Sequence, residues 1–425
     1  MSTAARSRCR WTFSSCRAPC PASCCAEAPI DTVPGASGHG LKALLLDPAL
    51  FTAPYDAALS RGLEAAGVQP RWLTRPLRRD EEPALPPRAV RPLFYRMTDG
   101  PRRRVGRLAK VAKGVEHWLG LAAAGREARS WRPDVIHLQW LVLPLLDARG
   151  VRRLRRVAPV VMTVHDVTPF NGKDVSALQR RGFAEALALA DRLIVHTAGS
   201  RAQLVEAGLP AAHIDVVPHG LLETPVGSAA PAVDEAGDAR WRIVQFGRIQ
   251  HYKGVDLLIE ALGRIAPADR ARIEVVVAGE PQVDTAPLLA RARALGLEDT
   301  IDFRFGFLSE RAMGDLLASA DAFVFPYRTI EASGVLHLVA GLERLIVASD
   351  TGAFPDLIGR DGAAGTLVDP ADPDRLAAAL VDTIGRRPTR GIGDAVPGWD
   401  EIGRRTRAVY ERARRQWAGR GAAGS

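Results

Sequence analysis

Beyond residue 25 this chain of 425 residues has no cysteine; Cys9, Cys16, Cys20, Cys24 and Cys25 all stand before that point. A disulfide framework or a zinc-thiolate centre in the body of the chain is thereby excluded. No run of about 18 apolar residues occurs, so no segment reads as a membrane span. The longest apolar stretches, such as Leu141–Leu146 and Val160–Val164, are of core length. Neither a G-x-G-x-x-G turn after the first strand nor a G-x-x-x-x-G-K-[ST] loop is found, which argues against a dinucleotide oxidoreductase and against an NTPase. No Asp-x-Asp pair or His/Cys cluster is well suited to a divalent ion.

What is present is globular in composition, with 47% hydrophobic and 25% charged residues. The length suits two domains of about 150–200 residues each. Acids are scarce where cations gather. Arg102, Arg103, Arg104, Arg107, Lys110 and Lys113 form one cluster, Arg152, Arg153, Arg155 and Arg156 a second, and the C-terminal tail adds more to a net charge of +9. Such patches suit anionic lipid, nucleotide or nucleic acid. With no nucleic-acid module beside them, nucleic acid is the weaker choice. Residues 1–40 read as a disordered extension or an upstream start. Arg10, Arg17 and several prolines interrupt any apolar core of a signal peptide there, and the body reads as cytoplasmic.

Strands and helices alternate along the chain. Strand Leu41–Leu46 ends at Asp47-Pro48, and helix Ala57–Ala66 stops at Gly67. Residues 75–104, rich in Arg and Pro, read as irregular. A helix from Val105 to about Ala124 puts Val105, Leu108, Ala112, Val115, Trp118, Leu119 and Ala122 on one side. Strands Asp134–Gln139, Val160–Val164, Arg192–His196 and Ile214–Val217 follow, separated by helices around 144–156, 174–190 and 199–207. Residues 224–240, rich in Pro, Gly and Ala, have no periodicity and read as a linker.

The rhythm then restarts. Strands fall at 242–246, Arg272–Ala278, Ile301–Phe305, Ala322–Phe325 and Leu345–Ala348. Helices fall at 254–265, 286–295, 310–318, Gly334–Gly341 and 373–385. Trp399–Gln416 is a terminal amphipathic helix. The alternation predicts two mainly parallel α/β domains, with a ligand cleft at the C-terminal edges of their sheets.

The most informative segment is Val244–Glu260, VQFGRIQHYKGVDLLIE. A strand runs into Gly247, then Arg248 and Lys253, then Gly254 and a helix whose apolar positions Val255, Leu258, Ile259 and Leu262 share one face. A strand, a glycine turn and a helix N-terminus form an anion site, because first-turn amides are unpaired. Phosphate binding is one reading; an ordinary strand–helix junction with two solvated cations is the other.

The second half resembles the nucleotide-sugar-binding domain of the retaining family 4 glycosyltransferases, which have the GT-B fold. The matching pieces stand in the family's order: VVPHG at 216–220, FGRIQHYKG at 246–254, VVVAGE at 275–280, FRFGFLSE at 303–310, ADAFVFPYRTIEASGVLHL at 320–338, VASDTGAFPDLI at 347–358 and GTLVDPADPDRLAAAL at 365–380. The first half resembles the family less closely, through DVIHLQW at 134–140 and VVMTVHDVTPF at 160–170. WDEIGRRTRAVY at 399–410 is similar to its crossover helix. The resemblance implies an acceptor domain at 41–223, a linker at 224–240, a donor domain at 241–390 and a crossover helix at 396–417.

For function, the resemblance implies a metal-independent hexosyltransferase, without a cofactor, in polysaccharide or glycolipid synthesis. The partners it implies are a GDP- or UDP-linked sugar as donor and a saccharide or lipid-linked saccharide as acceptor. Arg248 and Lys253 would hold the donor diphosphate, as would the backbone amides of Ser333 and Gly334; Ser333 also reads as a plain N-cap. His165 would touch the donor sugar near its C6 hydroxyl, with a turn-forming role as the rival. Asp166 reads equally as an acceptor contact or a turn residue, and His219 as a hinge or pocket residue. Phe307 and Leu308 would lie along the nucleobase, core packing being the alternative, and Asp356 would meet the ribose.

The chain departs from the family at its glutamate pair. Ile330 and Leu338 occupy those positions, Glu331 sits one place off, and Glu343 stands where a glycine is expected. The usual donor-sugar carboxylate is thus missing from its place, and Glu331 is a candidate for it, beside His165, Arg248 and Lys253 as the catalytic set. A catalytically weak sugar-binding or scaffold subunit is the runner-up. The basic run before helix 105–123, with that helix's apolar face, points to an anionic membrane surface on the inner side of the cell membrane. The alternative packs Trp118 and Leu119 on the first sheet.

Overall fold

The computed structural model describes residues 40–79, 81–99, 107–167, 177–223, 240–331 and 333–423. The proposed extension and linker, and the basic cluster before Arg107, lie outside them. Two parallel sheets organise the chain. The first takes β1 (Leu41–Leu46), β2 (Val68–Thr74), β3 (Val90–Pro92), β4 (Val135–Leu138), β5 (Val160–Thr163), β6 (Arg192–Val195) and β7 (Ile214–Val216), in the order β3-β2-β1-β4-β5-β6-β7. The second takes β8 (Trp241–Phe246), β9 (Ile273–Gly279), β10 (Ile301–Phe305), β11 (Ala322–Phe325), β12 (Leu345–Ser349) and β13 (Gly365–Val368), in the order β10-β9-β8-β11-β12-β13. In both, the order reverses beside the first strand of the sheet, where doubly wound folds open a ligand crevice.

The first sheet is flanked by α1 (Ala53–Ala65), α2 (Arg107–Trp131), α3 (Pro144–Leu154), α4 (Ala177–Leu189) and α5 (Ala198–Glu206). The second has α6 (Val255–Arg264), α7 (Pro267–Arg270), α8 (Ala286–Ala294), α9 (Glu310–Ala318), α10 (Gly334–Val339), α11 (Phe354–Ile358) and α12 (Pro373–Asp382). Strands buried on both faces explain the near-continuous apolar runs. Along β4 and β5, Ile136, Val160 and Met162 enter one core with α2, α3 and α4, while Val135 and Val161 enter the opposite core with α1. The long final helix, α13 (Trp399–Ala423), joins that second core through Ile402, Val409, Tyr410 and Ala413. It crosses α1 closely: a Cβ on Gly403 would lie 2.0 Å from the Gly62 carbonyl oxygen.

The sequence reading has no element at β2, β3, α7, α11 or β13, and its alternative that packs Trp118 and Leu119 on the first sheet is not what is found. Strand β2, sequence VQPRWLT, was not anticipated, since Pro70 and Arg71 break its apolar pattern. β3 reaches only Trp72–Thr74, so Pro70 has a strand neighbour on one side alone, where a missing N–H is tolerated. On α2 the buried face is Glu116, His117, Leu121, Ala124 and Ala128, while Val115, Trp118 and Leu119 point outward. The polar pair is turned inward by its partners. Glu116 accepts the backbone N–H groups of Met97 and Thr98 at 2.8 and 2.9 Å. His117 is held between the Tyr95 hydroxyl and Asp147, each at 2.6 Å.

Candidate active site

The end of β8 builds a cationic cradle. Gly247 has φ 115° and Gly254 φ 66°, both in the region that favours glycine. A Cβ at Gly247 would lie 2.7 Å from Lys253 Nζ, and one at Gly254 only 1.9 Å from the Pro326 carbonyl oxygen. Between them runs a single tight turn, His251–Lys253. Lys253 is 7% exposed, and its Nζ donates to the Tyr327 hydroxyl at 3.1 Å. Burial, helped by nearby Arg248, lowers its pKa to about 7. Arg248 itself is exposed and makes no hydrogen bond or salt bridge among the described residues. Arg328, by contrast, is committed to Asp256 and to the His251 carbonyl, so it fastens the turn.

Ser333 is the N-cap of α10, its Oγ accepting from Leu336 N at 3.2 Å, and it lies beside the Tyr327 hydroxyl. Lys253, Tyr327 and Ser333 thus form one connected group, with Gly334 exposed at its rim. Phe307, 77% exposed, follows β10. It sits at the same sheet edge, where Gly306 N donates to Gly279 O at 3.1 Å. Leu308 packs partly on the core beneath. Asp356 is exposed in the first turn of α11, near Arg360. No described contact joins Phe307, Leu308 or Asp356 to Lys253.

Opposite this edge stand the turns after β4 and β5. The Glu331 carboxylate accepts the backbone N–H of Val167, so a second-sheet loop touches the turn that carries His165 and Asp166. Burial and the Glu331 charge raise Asp166 to about 7, against the pull of Arg248. The His165 imidazole stacks on the Trp140 indole, centroids 4.8 Å apart and planes at 12°, with Tyr55 edge-on at 5.0 Å.

His165 heads a chain of histidines that sequence reasoning did not assemble. Its Nδ1 is 3.1 Å from His196 Nε2, and His196 Nδ1 is 3.0 Å from the Val217 carbonyl. His196 then faces His219, whose ring lies 4.2 Å from that of His337. Burial depresses all of them, His196 and His337 to about 4 and His165 and His219 well below the usual range. At neutral pH each is uncharged. A carbonyl can only accept, so neutral His196 carries its proton on Nδ1 and leaves Nε2 as acceptor. His165 therefore donates Nδ1–H to it. His165 Nε2 then keeps its lone pair and lies 3.1 Å from the Gln139 side-chain oxygen; two acceptors cannot bond, so this tautomer requires the Gln139 amide to be flipped, with its nitrogen toward the ring. His219 and His337 are fixed in the same way, each with Nδ1 on a backbone carbonyl, at 2.7 and 2.9 Å. The one sequence signal for this chain was histidine at successive strand ends. Among the described residues no three His, Cys, Asp or Glu side chains are grouped so as to hold a metal ion.

Comparison with known proteins bears on both sheets. Residues 240–385 match the model of the glycosyl transferases group 1, and residues 57–221 that of glycosyltransferase family 4. An MMP alpha-(1->4)-mannosyltransferase of Mycolicibacterium hassiacum is 31% identical over 60% of this chain and 66% of its own length, about two thirds of that relative. A D-inositol 3-phosphate glycosyltransferase of Acidothermus cellulolyticus is 29% identical over 77% of this chain and 76% of its own. Among solved structures, sucrose-phosphate synthase from Thermosynechococcus elongatus superposes with a TM-score of 0.62, at 16% identity, over 91% of this chain and all (100%) of that one. The architecture is that of the GT-B glycosyltransferases. With one model over the first sheet and its companion over the second, the chain belongs to the family 4 glycosyltransferases.

Proposed function

We propose that this glycosyltransferase takes its sugar from a GDP- or UDP-linked donor. The acceptor is a hydroxyl of a saccharide or lipid-linked saccharide, in polysaccharide or glycolipid synthesis. Residues 41–223 form the acceptor half and 241–390 the donor half, with 396–417 crossing back. The observation that carries the reading is the cradle after β8: a buried lysine, an exposed arginine with no hydrogen bond or ion pair among the described residues, and glycines at 247 and 254, where a side chain would meet Lys253 or the Pro326 carbonyl. In the transfer, the acceptor oxygen bonds to the anomeric carbon as the bond from that carbon to the diphosphate oxygen breaks. The hydroxyl proton leaves with the diphosphate, and configuration is retained as in the family. Charge grows on the departing diphosphate, and preorganised cations stabilise it most at that moment. Arg248, Lys253 and the Ser333 and Gly334 amides meet it, His165 and Glu331 meet the sugar, and Phe307, Leu308 and Asp356 meet the nucleoside. A panel of nucleotide sugars, read by nucleotide release, tests this. Arg248→Ala and Lys253→Ala should each cost about a hundredfold in turnover, roughly 3 kcal/mol. Less than threefold in both rejects the assignment. Turnover is expected to survive chelation, and a complete, metal-reversible loss would reject a cation-only mechanism. A scaffold subunit would release no nucleotide at all.

A second observation favours work at a membrane surface. On α2, Val111, Val115, Trp118 and Leu119 are 69, 54, 50 and 49% exposed. They follow a run of arginines in sequence, and a basic helix with an apolar face lies in an anionic interface. No described helix is long and apolar enough to cross a membrane; the contact proposed is peripheral, on the cytoplasmic face. Co-sedimentation with phosphatidylglycerol vesicles should be lost at high salt and in Trp118→Ser/Leu119→Ser protein. Equal, salt-independent binding to neutral vesicles would overturn it.

A further inference from the structure

Strands β1, β4 and β5 are neighbours in the first sheet, so the loops that follow them share one edge. Those loops carry Phe51, Trp140 and His165. The Trp140 indole is fixed from two directions. Its face lies on the His165 ring, and its Nε1–H donates to Thr52 Oγ1 at 3.0 Å. Phe51 meets the indole edge to face, centroids 5.6 Å apart at 76°, and is still 53% exposed. Phe51, Trp140 and His165 thus make a continuous aromatic ledge that ends at the residue read as the sugar contact. A large ring left half in water on a positioned loop invites a partner with an apolar surface.

The charges around the ledge select among partners. Asp47 accepts the N–H groups of Ala49 and Thr52, at 3.3 Å each, and Asp56 lies beyond Thr52; both are buried, so they hold the loop and do not face a ligand. Asp166 stands next to His165. The cation nearest the loop, Arg75, donates to the Ala49 carbonyl at 3.0 Å and is paired in bidentate fashion with Glu81. Arg248, the cation that acts on Asp166, is already assigned to the donor diphosphate. A phosphate-bearing acceptor would meet the Asp166 carboxylate at the end of the ledge. An uncharged pyranose fits better: its C–H face lies on aromatic carbon, and its hydroxyl rim finds acceptors.

We propose that Phe51 and Trp140 form the acceptor subsite, holding the C–H face of an uncharged pyranose ring beside His165. The inference rests on the glycosyltransferase reading and goes further, to the acceptor's chemical class. Saturation-transfer NMR tests it on the full chain, with methyl α-D-mannopyranoside, methyl β-D-galactopyranoside, methyl β-D-glucopyranoside and myo-inositol 1-phosphate as probes. UDP and GDP affinities are measured on the same samples. At least one glycoside should receive saturation at its ring protons. That signal should fall at least fivefold in Phe51→Ala and Trp140→Leu, with nucleotide affinity within twofold of wild type. Phe51 is exposed, so its variant stays informative if the Trp140 change disturbs folding. The proposal is overturned if no glycoside receives saturation, if the inositol phosphate outcompetes all three, or if Phe51→Ala leaves the signal unchanged. Loss of nucleotide affinity in Phe51→Ala overturns it too, by placing Phe51 in the donor site. Wild-type protein that binds a glycoside but no nucleotide would instead refute the donor reading and leave the ledge standing.

Discussion

Lys253 offers the sharpest test of the donor site. A lysine in water titrates near 10.5, and here burial and Arg248 bring it down to about 7. The site therefore opposes the ammonium charge by on the order of 5 kcal/mol. A bound diphosphate relieves that opposition, because it supplies the counter-charge that the Tyr327 hydroxyl lacks. The pKa in the complex must then lie above that of the free protein, and binding takes up a proton wherever the free lysine is neutral. Below pH 7 the ammonium is already present and little is gained. Above it, each pH unit weakens binding by about tenfold until the pKa of the complex is reached.

Between pH 7.0 and 8.5 the charged fraction of free Lys253 falls from about one half to about 3%, so affinity for UDP or GDP should fall about fifteenfold. Other groups in the cleft also titrate, each in a known direction. The last ionisation of the diphosphate, with a pKa of about 6 like other phosphate esters, is nearly complete over this range. The histidine chain stays neutral. Asp166, held at about 7 by burial and Glu331, does titrate, and an arriving anion raises it further, so it also takes up protons. The measurement is therefore made in Asp166→Asn protein. Calorimetric titration at pH 8.0 in buffers of differing ionisation enthalpy should give uptake of about 0.9 proton, and close to none after Lys253→Met. Uptake below about 0.2, or an affinity loss under threefold between pH 7.0 and 8.5, would refute a titrating Lys253 at the diphosphate.

His165→Asn should leave UDP or GDP affinity within twofold while transfer falls at least tenfold, because the ring is placed against sugar rather than phosphate; a matching loss of nucleotide affinity counts against it. His196→Phe should switch His165 from the Nδ1–H to the Nε2–H tautomer, read from its ring 15N shifts, with donor affinity kept; an unchanged tautomer means that His196 does not control it. Asp56, whose pKa burial and Asp47 push well up, keeps in the folded state a proton that the unfolded chain releases above about pH 4, so stability is lost as pH rises. Asp56→Asn should therefore raise Tm more at pH 8 than at pH 5, and a gain independent of pH would refute that origin.

The second half was legible because its signals are local. β10, α9 and β11 fall on their expected bounds, since apolar runs, glycine turns and caps such as Ser309 and Ser333 lie within a few residues of what they control. The first half hides more, because partners distant in sequence override its pattern. Glu116 and His117 are buried although they lie off the helix's apolar side, and Val115, Trp118 and Leu119 on that side are exposed, against the alternative that packs Trp118 and Leu119 on the first sheet. Two backbone N–H groups at 97–98 and a carboxylate at 147 make the inward turn of the polar pair cheaper than leaving those groups unpaired. The same holds at the site. Lys253 and Arg248 can be read from a nine-residue motif, whereas the His165–His196 contact spans 31 residues and the Val167–Glu331 contact spans 164. An apolar pattern records burial and cannot record which polar group has found a partner. Functional clefts are assembled from such partnered groups, so the cleft's first-sheet wall, with Tyr55, Trp140 and His196, became visible only once the strand ends were side by side.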